Sequence, residues 1–396
     1  ENFRDGELNL PESGNGIPDI LDEAAWLPRF CQRLRAELLK KNYGTGGIGL
    51  RVCGDHFGPD GEGIPSYLDT HRQWIASGED PWSTYRYAAV AAQLAWCLKK
   101  AGQSDPERVD WGKEAKESWT WAASHTRPGD EEGRPAAGYP LRDARAFAAA
   151  ALFRLTGDEE YHKRLALDTS GVKPDSLLWD QSRWGPWIYV LGGGPGKYDP
   201  ALVERLRAAT LKTCQQAAIE TPSRRALRWG GNWSMPMLVG QQTTPWILEG
   251  MVGYALTRES DREAAVRYRA GVVTTADYFL GTNSLNMTWV TGLGPRSPKE
   301  VFHLDAWCNG KGKPHPGIVP YGPWKKDRDG GAGPWDKEWP YPTLHPPIDD
   351  WPGNERWFEN RCAPMTSEFT IHQNTVYAAA TFGWLCGPAE KAKAGR

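Results

Sequence analysis

Residues 143–160, DARAFAAAALFRLTGDEE, are the stretch that decides the fold class. The alanine-rich run from Asp143 to Thr156 favours a helix, because alanine has the highest helix propensity. Gly157 follows as a C-cap residue, since glycine adopts the left-handed backbone that ends many helices. The acidic residues that begin at Asp158 are placed where the positive end of a following helix favours them. The stretch therefore predicts two helices joined by a tight turn.

Helical spacing of apolar residues recurs along the rest of the chain. It predicts further helices at residues 20–39, 83–98, 110–124, 200–218, 240–256, 261–280 and 368–386. Residues 42–81 and 281–363 are rich in glycine and proline and are predicted to be long loops, which in compact proteins are usually functional. We therefore predict one all-α domain at residues 1–388 and a charged tail at residues 389–396. Helix pairs that close into a toroid are expected, and an open helical solenoid is the alternative.

Tryptophan is in surplus, with 21 among 396 residues. Flat aromatic rings pack against the C–H faces of sugar rings, so the surplus suits a carbohydrate cleft, but tryptophan equally fills helix interfaces. The net charge of -2 provides no electrostatic footprint for nucleic acid or for an anionic membrane surface. No apolar run is long enough to predict a membrane span.

Residues 364–377, PMTSEFTIHQNTVY, place one carboxylate at the start of an apolar helical run. A carboxyl group held partly out of water at such a junction keeps its proton and can serve as a general acid. Glu368 is therefore a candidate catalytic acid. The alternative is that Glu368 caps the helix, with Thr366 or Ser367 as the N-cap residue.

No cofactor is expected from the remaining motifs. The glycine-rich stretch 192–196, GGGPG, lacks the Gly-Lys-Ser/Thr that completes a phosphate-binding loop, so we interpret it as a turn between helices. Histidine and cysteine are not spaced as in a structural metal site. A structural calcium ion held by Asp130, Glu131 and Glu132 is compatible with the sequence.

Four stretches together resemble glycoside hydrolase family nine, a family of mainly cellulases with an (α/α)6 barrel. The first is residues 5–23, DGELNLPESGNGIPDILDE, and the second is the alanine-rich helix that ends at residues 156–158, TGD. The third comprises residues 277–283, DYFLGTN, residues 289–294, WVTGLG, and then His303. The fourth places Glu368 and Asn374 six positions apart, and residues 229–232, WGGN, are also similar to a family element.

The resemblance implies a secreted, all-α (α/α)6 enzyme that hydrolyses a β-linked polysaccharide or oligosaccharide with inversion at the anomeric carbon. Glu368 would be the general acid. The residues expected to contact sugar are His303, Asn374, Trp229, Tyr278 and Trp289, of which the last three could equally belong to the core.

The sequence also departs from the family pattern. The Asp-Ala-Gly-Asp motif that supplies the family's catalytic base is not in this chain, so we expect the base upstream of residue 1, in an N-terminal segment that completes the barrel. At the family's His-His-Arg, residues 302–304 are FHL, and a substrate-gripping arginine is lost. Gln373 and Ser367 replace an aromatic residue and an asparagine beside the site.

Two other functions remain open on these grounds. One is a carbohydrate-binding or structural protein that has lost catalysis on the same fold. The other is a polysaccharide lyase, in which His303, His372 or Tyr377 would act as the base.

Overall fold

The computed structural model describes residues 3–55, 68, 70, 72–130, 139–231, 245–303, 306, 313–323 and 339–386. The chain separates into two compact units. The first unit is built mainly from Glu1–Gly54 and Trp74–Thr213, and the second mainly from Cys214–Gly387. The predicted domain at residues 1–388 spans both units and stays a prediction, and the predicted tail at 389–396 lies outside the described residues.

The first unit consists of helices that follow one another along the chain. They are α1 (Asp19–Lys40), α2 (Pro81–Ala101), α3 (Trp111–His125), α4 (Leu141–Thr156), α5 (Glu159–Asp168), α6 (Trp184–Leu191) and α7 (Pro200–Gln215), the last of which continues into the second unit. Helix α2 packs against α3 and α4, and α4 also packs against α5 and α6. The predicted helices in this part of the chain are confirmed, with ends that differ by at most three residues.

The turn between α4 and α5 has the predicted form. Gly157 adopts a left-handed backbone with a φ of 77° and donates its N–H to the carbonyl of Phe153. The side chain of Asp158 then accepts the backbone N–H of Glu160 at 3.0 Å and caps α5. These two caps explain why the chain reverses here within so few residues.

Helix α4 is buried on nearly all of its surface. The four alanines from Ala148 to Ala151 are fully buried, and their small side chains let neighbouring helices approach closely. On α6, a side chain at Gly185 would begin only 2.9 Å from the carbonyl oxygen of Ala146. The sequence did not predict α6, because Gly185 and Pro186 are usually signals of a turn. Both lie in its first turn, where proline is tolerated.

A small β-hairpin corrects the prediction of a loop at residues 42–81. Strands β1 (Val52–Gly54) and β2 (Trp74–Ala76) pair antiparallel, with Cys53 opposite Ile75. Each strand is only three residues long, so neither shows an alternation that sequence analysis could detect.

The second unit begins with a π-helical turn at Gln216–Glu220 that continues α7 into α8 (Thr221–Arg224). It goes on with α9 (Leu248–Thr257), α10 (Arg262–Phe279), α11 (Pro364–Ser367), a second π-helical segment (Gln373–Ala379) and α12 (Ala380–Cys386). Helices α9 and α10 pack together, and α12 contacts both. Gly271 lets α10 lie directly on the first π-helical turn, because a Cβ there would fall 1.9 Å from the carbonyl oxygen of Ala218.

Two helix starts differ from prediction in this unit. Residues 240–244 of the helix predicted at 240–256 lie outside the described residues, and α9 begins only at Leu248. The helix predicted at 368–386 begins at Ile371. Glu368 instead has an extended backbone, with a ψ of 164°.

Candidate active site

Glu368 lies between two helical segments. The short helix α11 ends at Ser367, and Glu368 carries the chain in an extended conformation toward the helix that begins at Ile371. The helix-capping alternative is wrong, because Thr366 and Ser367 lie inside α11 rather than at the N-cap of the following helix. The carboxyl group of Glu368 is instead hydrogen-bonded to the side chain of Tyr321, which lies in segment 319–322.

Three backbone hydrogen bonds fix this junction in the second unit. The N–H of Phe302 donates to the carbonyl of Ser367 at 2.9 Å. The N–H of Tyr321 donates to the carbonyl of Glu368 at 2.7 Å, and the N–H of Gly322 donates to the carbonyl of Thr366 at 2.9 Å. Segments 301–303 and 319–322 are therefore attached to the backbone on which the candidate acid stands.

The carboxyl group of Glu368 is half-buried and accepts a hydrogen bond from the phenol of Tyr321. Burial raises the pKa of Glu368 above its usual range, because desolvation disfavours the charged carboxylate. The hydrogen bond from Tyr321 lowers the same pKa and only partly offsets burial. Burial also raises the pKa of Tyr321, and the nearby carboxylate adds to this, so the tyrosine stays a donor. The surroundings of Glu368 thus favour its protonated form, as a general acid requires.

His303 lies beside the same junction. Its ring contacts the ring of Phe369, the residue after Glu368, with centroids 5.5 Å apart. It also packs edge-on against His315, with centroids 5.4 Å apart. The structure therefore brings the predicted sugar contact His303 next to the predicted acid, and its contact with sugar stays a prediction.

The side chain of Asn374 is hydrogen-bonded to backbone groups of the protein, whereas a sugar contact was expected. Its Oδ1 accepts the backbone N–H of Val319 at 2.7 Å. Its Nδ2 donates to the carbonyl of Thr370 at 2.9 Å and to that of Val319 at 3.2 Å. The side chain ties segment 319–322, which carries Tyr321, to the helix that follows Glu368. Its role as a substrate contact stays a prediction.

The three predicted aromatic contacts all lie in a buried cluster of the second unit. The exposed fractions of Trp229, Tyr278 and Trp289 are 4%, 1% and 1%. Phe279 and Met287 complete the buried part of this cluster. A ring enclosed in this way offers no free face to a sugar, so the burial favours the core role that the sequence left open.

Arg225 covers one end of the same cluster. Its guanidinium lies 3.7 Å from the ring centroid of Trp229 and donates to the carbonyls of Trp229 and Gly230. Burial lowers the pKa of Arg225 to about 10. The cation thus holds the segment before residue 231 against the core.

Two of the three residues of the lyase alternative, His372 and Tyr377, lie beside Trp246. Tyr377 is buried, and its ring centroid lies 3.9 Å from that of Trp246. His372 lies 6.2 Å from the same ring, and partial burial lowers its pKa. A tyrosine covered in this way is poorly placed to take a proton from a substrate.

Tyr321 is the residue of this site that sequence analysis missed. It stands between Pro320 and Gly322 in the segment predicted to be a long loop. No spacing or periodicity connects that position with Glu368, because their pairing depends on the fold alone.

Neither a cluster of metal ligands nor a membrane-spanning helix is found among the described residues. Among them, no three His, Cys, Asp or Glu side chains are grouped so that they could hold a metal ion. Of the predicted calcium ligands, Asp130 is described, whereas Glu131 and Glu132 lie outside the described residues. No helix in the described part of the chain combines the length and the apolar character needed to cross a bilayer.

A half-buried carboxyl group with a raised pKa on an all-α scaffold defines a class of site suited to general acid chemistry. The sequence pattern of Glycosyl hydrolase family 9 matches residues 11–381, and the chain belongs to this family. The resemblance inferred from the four stretches is therefore confirmed.

Individual relatives support the same assignment. A cellulose 1,4-beta-cellobiosidase of Acetivibrio thermocellus is 26% identical over 96% of this chain and 44% of its own length. Endoglucanase D of the same organism is 25% identical over 96% of this chain and 56% of its own length. The chain thus spans about half the length of the curated relatives it matches.

The fold prediction is confirmed by solved structures. The crystal structure of a metagenome-derived glycoside hydrolase family 9 endoglucanase matches with a TM-score of 0.69 and 23% identity, over 96% of this chain and 63% of that one. Together with the helical hairpins, this match shows the all-α, (α/α)6 class of fold, and the open solenoid is set aside.

Proposed function

We propose that this chain is the catalytic part of a β-glycosidase that hydrolyses a β-linked glucan with inversion, with Glu368 as the general acid. The observation that carries the proposal is the half-buried carboxyl group of Glu368, whose pKa burial raises. Membership of Glycosyl hydrolase family 9 and the cellulose-directed names of its relatives support the substrate class. A polymeric substrate of this kind leads us to propose that the protein acts outside the cell.

In the proposed reaction, protonated Glu368 donates its proton to the glycosidic oxygen as the bond to the leaving sugar breaks. A water molecule attacks the anomeric carbon from the opposite face, and a carboxylate base removes a proton from that water. In inverting enzymes the acid and the base are roughly 6.5–9.5 Å apart, which leaves room for the water. We propose that the base is an aspartate supplied by sequence that precedes residue 1.

The loss of the family's arginine at residues 302–304 leads us to propose that the sugar beside the cleavage point is bound differently from that in plain cellulose. His303 remains beside Phe369 and His315, where it can donate to or accept from a sugar hydroxyl group. Leu304 lies outside the described residues. The binding of a substituted or mixed-linkage β-glucan would depend less on a single arginine that binds the substrate.

The experiment is a product analysis of the full-length protein on a panel of β-glucans and amino-sugar oligomers. We expect new reducing ends from at least one β-glucan, with the α-anomer formed first as seen by NMR. Tight sugar binding without any product would contradict the proposal and favour the carbohydrate-binding alternative. Unsaturated product ends would instead favour the lyase.

A further inference from the structure

Tyr321 reaches Glu368 through a double attachment. Its backbone N–H donates to the carbonyl of Glu368 at 2.7 Å, and its phenol donates to the carboxyl group of the same residue. One residue thus holds both the main chain and the side chain of the candidate acid. The exposed fraction of Tyr321 is only 8%, so little water can compete with Glu368 for the hydrogen bond of the phenol.

The loop that carries Tyr321 is itself held in place. Asn374 accepts from and donates to the backbone of Val319, two residues before Tyr321. Gly322, one residue after it, donates to the carbonyl of Thr366. The phenol is therefore fixed relative to Glu368 on both sides, which is the arrangement needed to orient a catalytic side chain.

We propose that Tyr321 is a positioning residue, whose phenol holds one oxygen of the Glu368 carboxyl group and thereby directs the other oxygen toward the substrate. The proposal rests on the proposed function of Glu368. A carboxyl group that is free to rotate would present its proton in the right direction only part of the time. A hydrogen bond to a charged group also stabilises the carboxylate, and removal of the phenol should make Glu368 hold its proton to higher pH.

Other titratable groups lie on the segments packed around this junction in the described part of the chain. They are His315 on segment 313–323, His303 on segment 301–303, His372 on the helix that follows Glu368, and Tyr341, which lies close to Thr366. A pH–rate profile does not by itself assign a titration to one group. The test therefore needs a signal from Glu368 itself.

The test compares the Tyr321→Phe variant with the parent in the full-length protein. The carboxyl carbon of Glu368 is followed by NMR through a pH titration after 13C-labelling of glutamate, and its signal is assigned by its loss in Glu368→Gln. We expect the titration of Glu368 to move to higher pH in Tyr321→Phe, and the basic limb of kcat/KM to move with it. We also expect kcat to fall about tenfold with KM changed less than about twofold, because each 1.36 kcal/mol of lost stabilisation is tenfold in rate.

Tyr341→Phe is the matched control, since Tyr341 is a buried tyrosine whose phenol lies close to Thr366 and does not influence the pKa of Glu368. It should leave the titration of Glu368 unchanged. An unchanged titration in a folded Tyr321→Phe protein would overturn the proposal. A variant that does not fold would give Tyr321 a packing role and would overturn it as well. Because the NMR titration needs no substrate, its outcome is separate from that of the proposed hydrolysis.

Discussion

A carboxyl group acts as a general acid only if it still holds its proton at the working pH. Burial moves the pKa of Glu368 in the direction that this condition requires, and the opposing hydrogen bond from Tyr321 has a smaller effect. The sequence could predict Glu368 from the family motif around it. It could not predict Tyr321, because the bond between the two side chains joins segments that are far apart along the chain.

The raised pKa predicts a dependence of stability on pH. The folded state binds the proton of Glu368 more tightly than the unfolded state does, so ionisation of Glu368 opposes folding. Its contribution is fully present below the ordinary pKa of glutamate and is lost as pH rises through the folded pKa. We therefore expect Glu368→Gln to melt at a higher temperature than the parent at pH 7, with the difference vanishing toward pH 4.

Thermal melting between pH 4 and pH 8 measures this difference. Glu263→Gln serves as the control, because Glu263 is exposed on α10 and its replacement should change the free energy of unfolding by less than about 0.5 kcal/mol. A Glu368→Gln protein less stable than the parent at pH 7 would show that the native carboxylate is well solvated, and a raised pKa would then be wrong.

At the scale of elements, the site depends on the attachment of segment 319–322 to the helix after Glu368. Asn374 makes that attachment through two hydrogen bonds to the backbone of Val319, and a third, local bond holds its amide to the carbonyl of Thr370. The family motif predicted that Asn374 matters but assigned it to the substrate. Only the fold shows that its amide is occupied by the backbone of Val319, since the two residues approach through tertiary packing.

Asn374→Leu should therefore lower stability as well as activity. The N–H of Val319 would lose its acceptor, and a part-buried unsatisfied donor costs roughly 1–3 kcal/mol. Chemical denaturation would measure the loss. Thr375→Val is the matched control on the same helix, because Thr375 is exposed and bonds only locally to the carbonyl of Ile371. A stable Asn374→Leu protein that had lost sugar binding would favour the direct substrate contact.

The helices themselves were predictable to the extent that their caps are local. Asp80, Asp110 and Asp158 each accept a backbone N–H in the first turn of the helix that follows, and such residues are visible in the sequence. The π-helical turns and the hairpin of β1 and β2 were not predictable. They depend on close approaches such as that between Gly271 and Ala218, which the sequence does not reveal.

At the scale of the whole molecule, part of the tryptophan surplus serves the core. Trp111 and Trp119 are buried in the first unit, and Trp229 and Trp289 in the second. Composition alone could not separate this use from a carbohydrate cleft, because both need large flat rings.

Buried ion pairs add to the core of the first unit. Arg145 and Asp168 form a bidentate pair with N–O distances of 2.9 and 2.7 Å, and both side chains are almost fully buried. Asp168→Ala would remove the carboxylate that accepts two hydrogen bonds from the buried Arg145, and we expect a loss of roughly 3–5 kcal/mol in the free energy of unfolding. Urea denaturation monitored by tryptophan fluorescence would measure it.

Lys163→Gln on the same helix is the control. Lys163 and Glu159 are 3.1 Å apart, but both side chains are mostly exposed, and such pairs contribute between about 0 and 1 kcal/mol. Equal effects of the two substitutions would contradict the distinction between buried and exposed pairs.

Protonation of the leaving group by Glu368 is the central proposal, and leaving-group dependence tests it most directly. The measurement is kcat/KM of the parent and of Glu368→Gln in the full-length protein, on an unactivated β-glucan oligosaccharide and on a dinitrophenyl β-glycoside whose leaving group needs no proton. We expect a loss of about 10²–10⁴ on the oligosaccharide and less than about tenfold on the dinitrophenyl substrate. An equal loss on both substrates, or no loss on the oligosaccharide, would contradict the role of Glu368 as the acid.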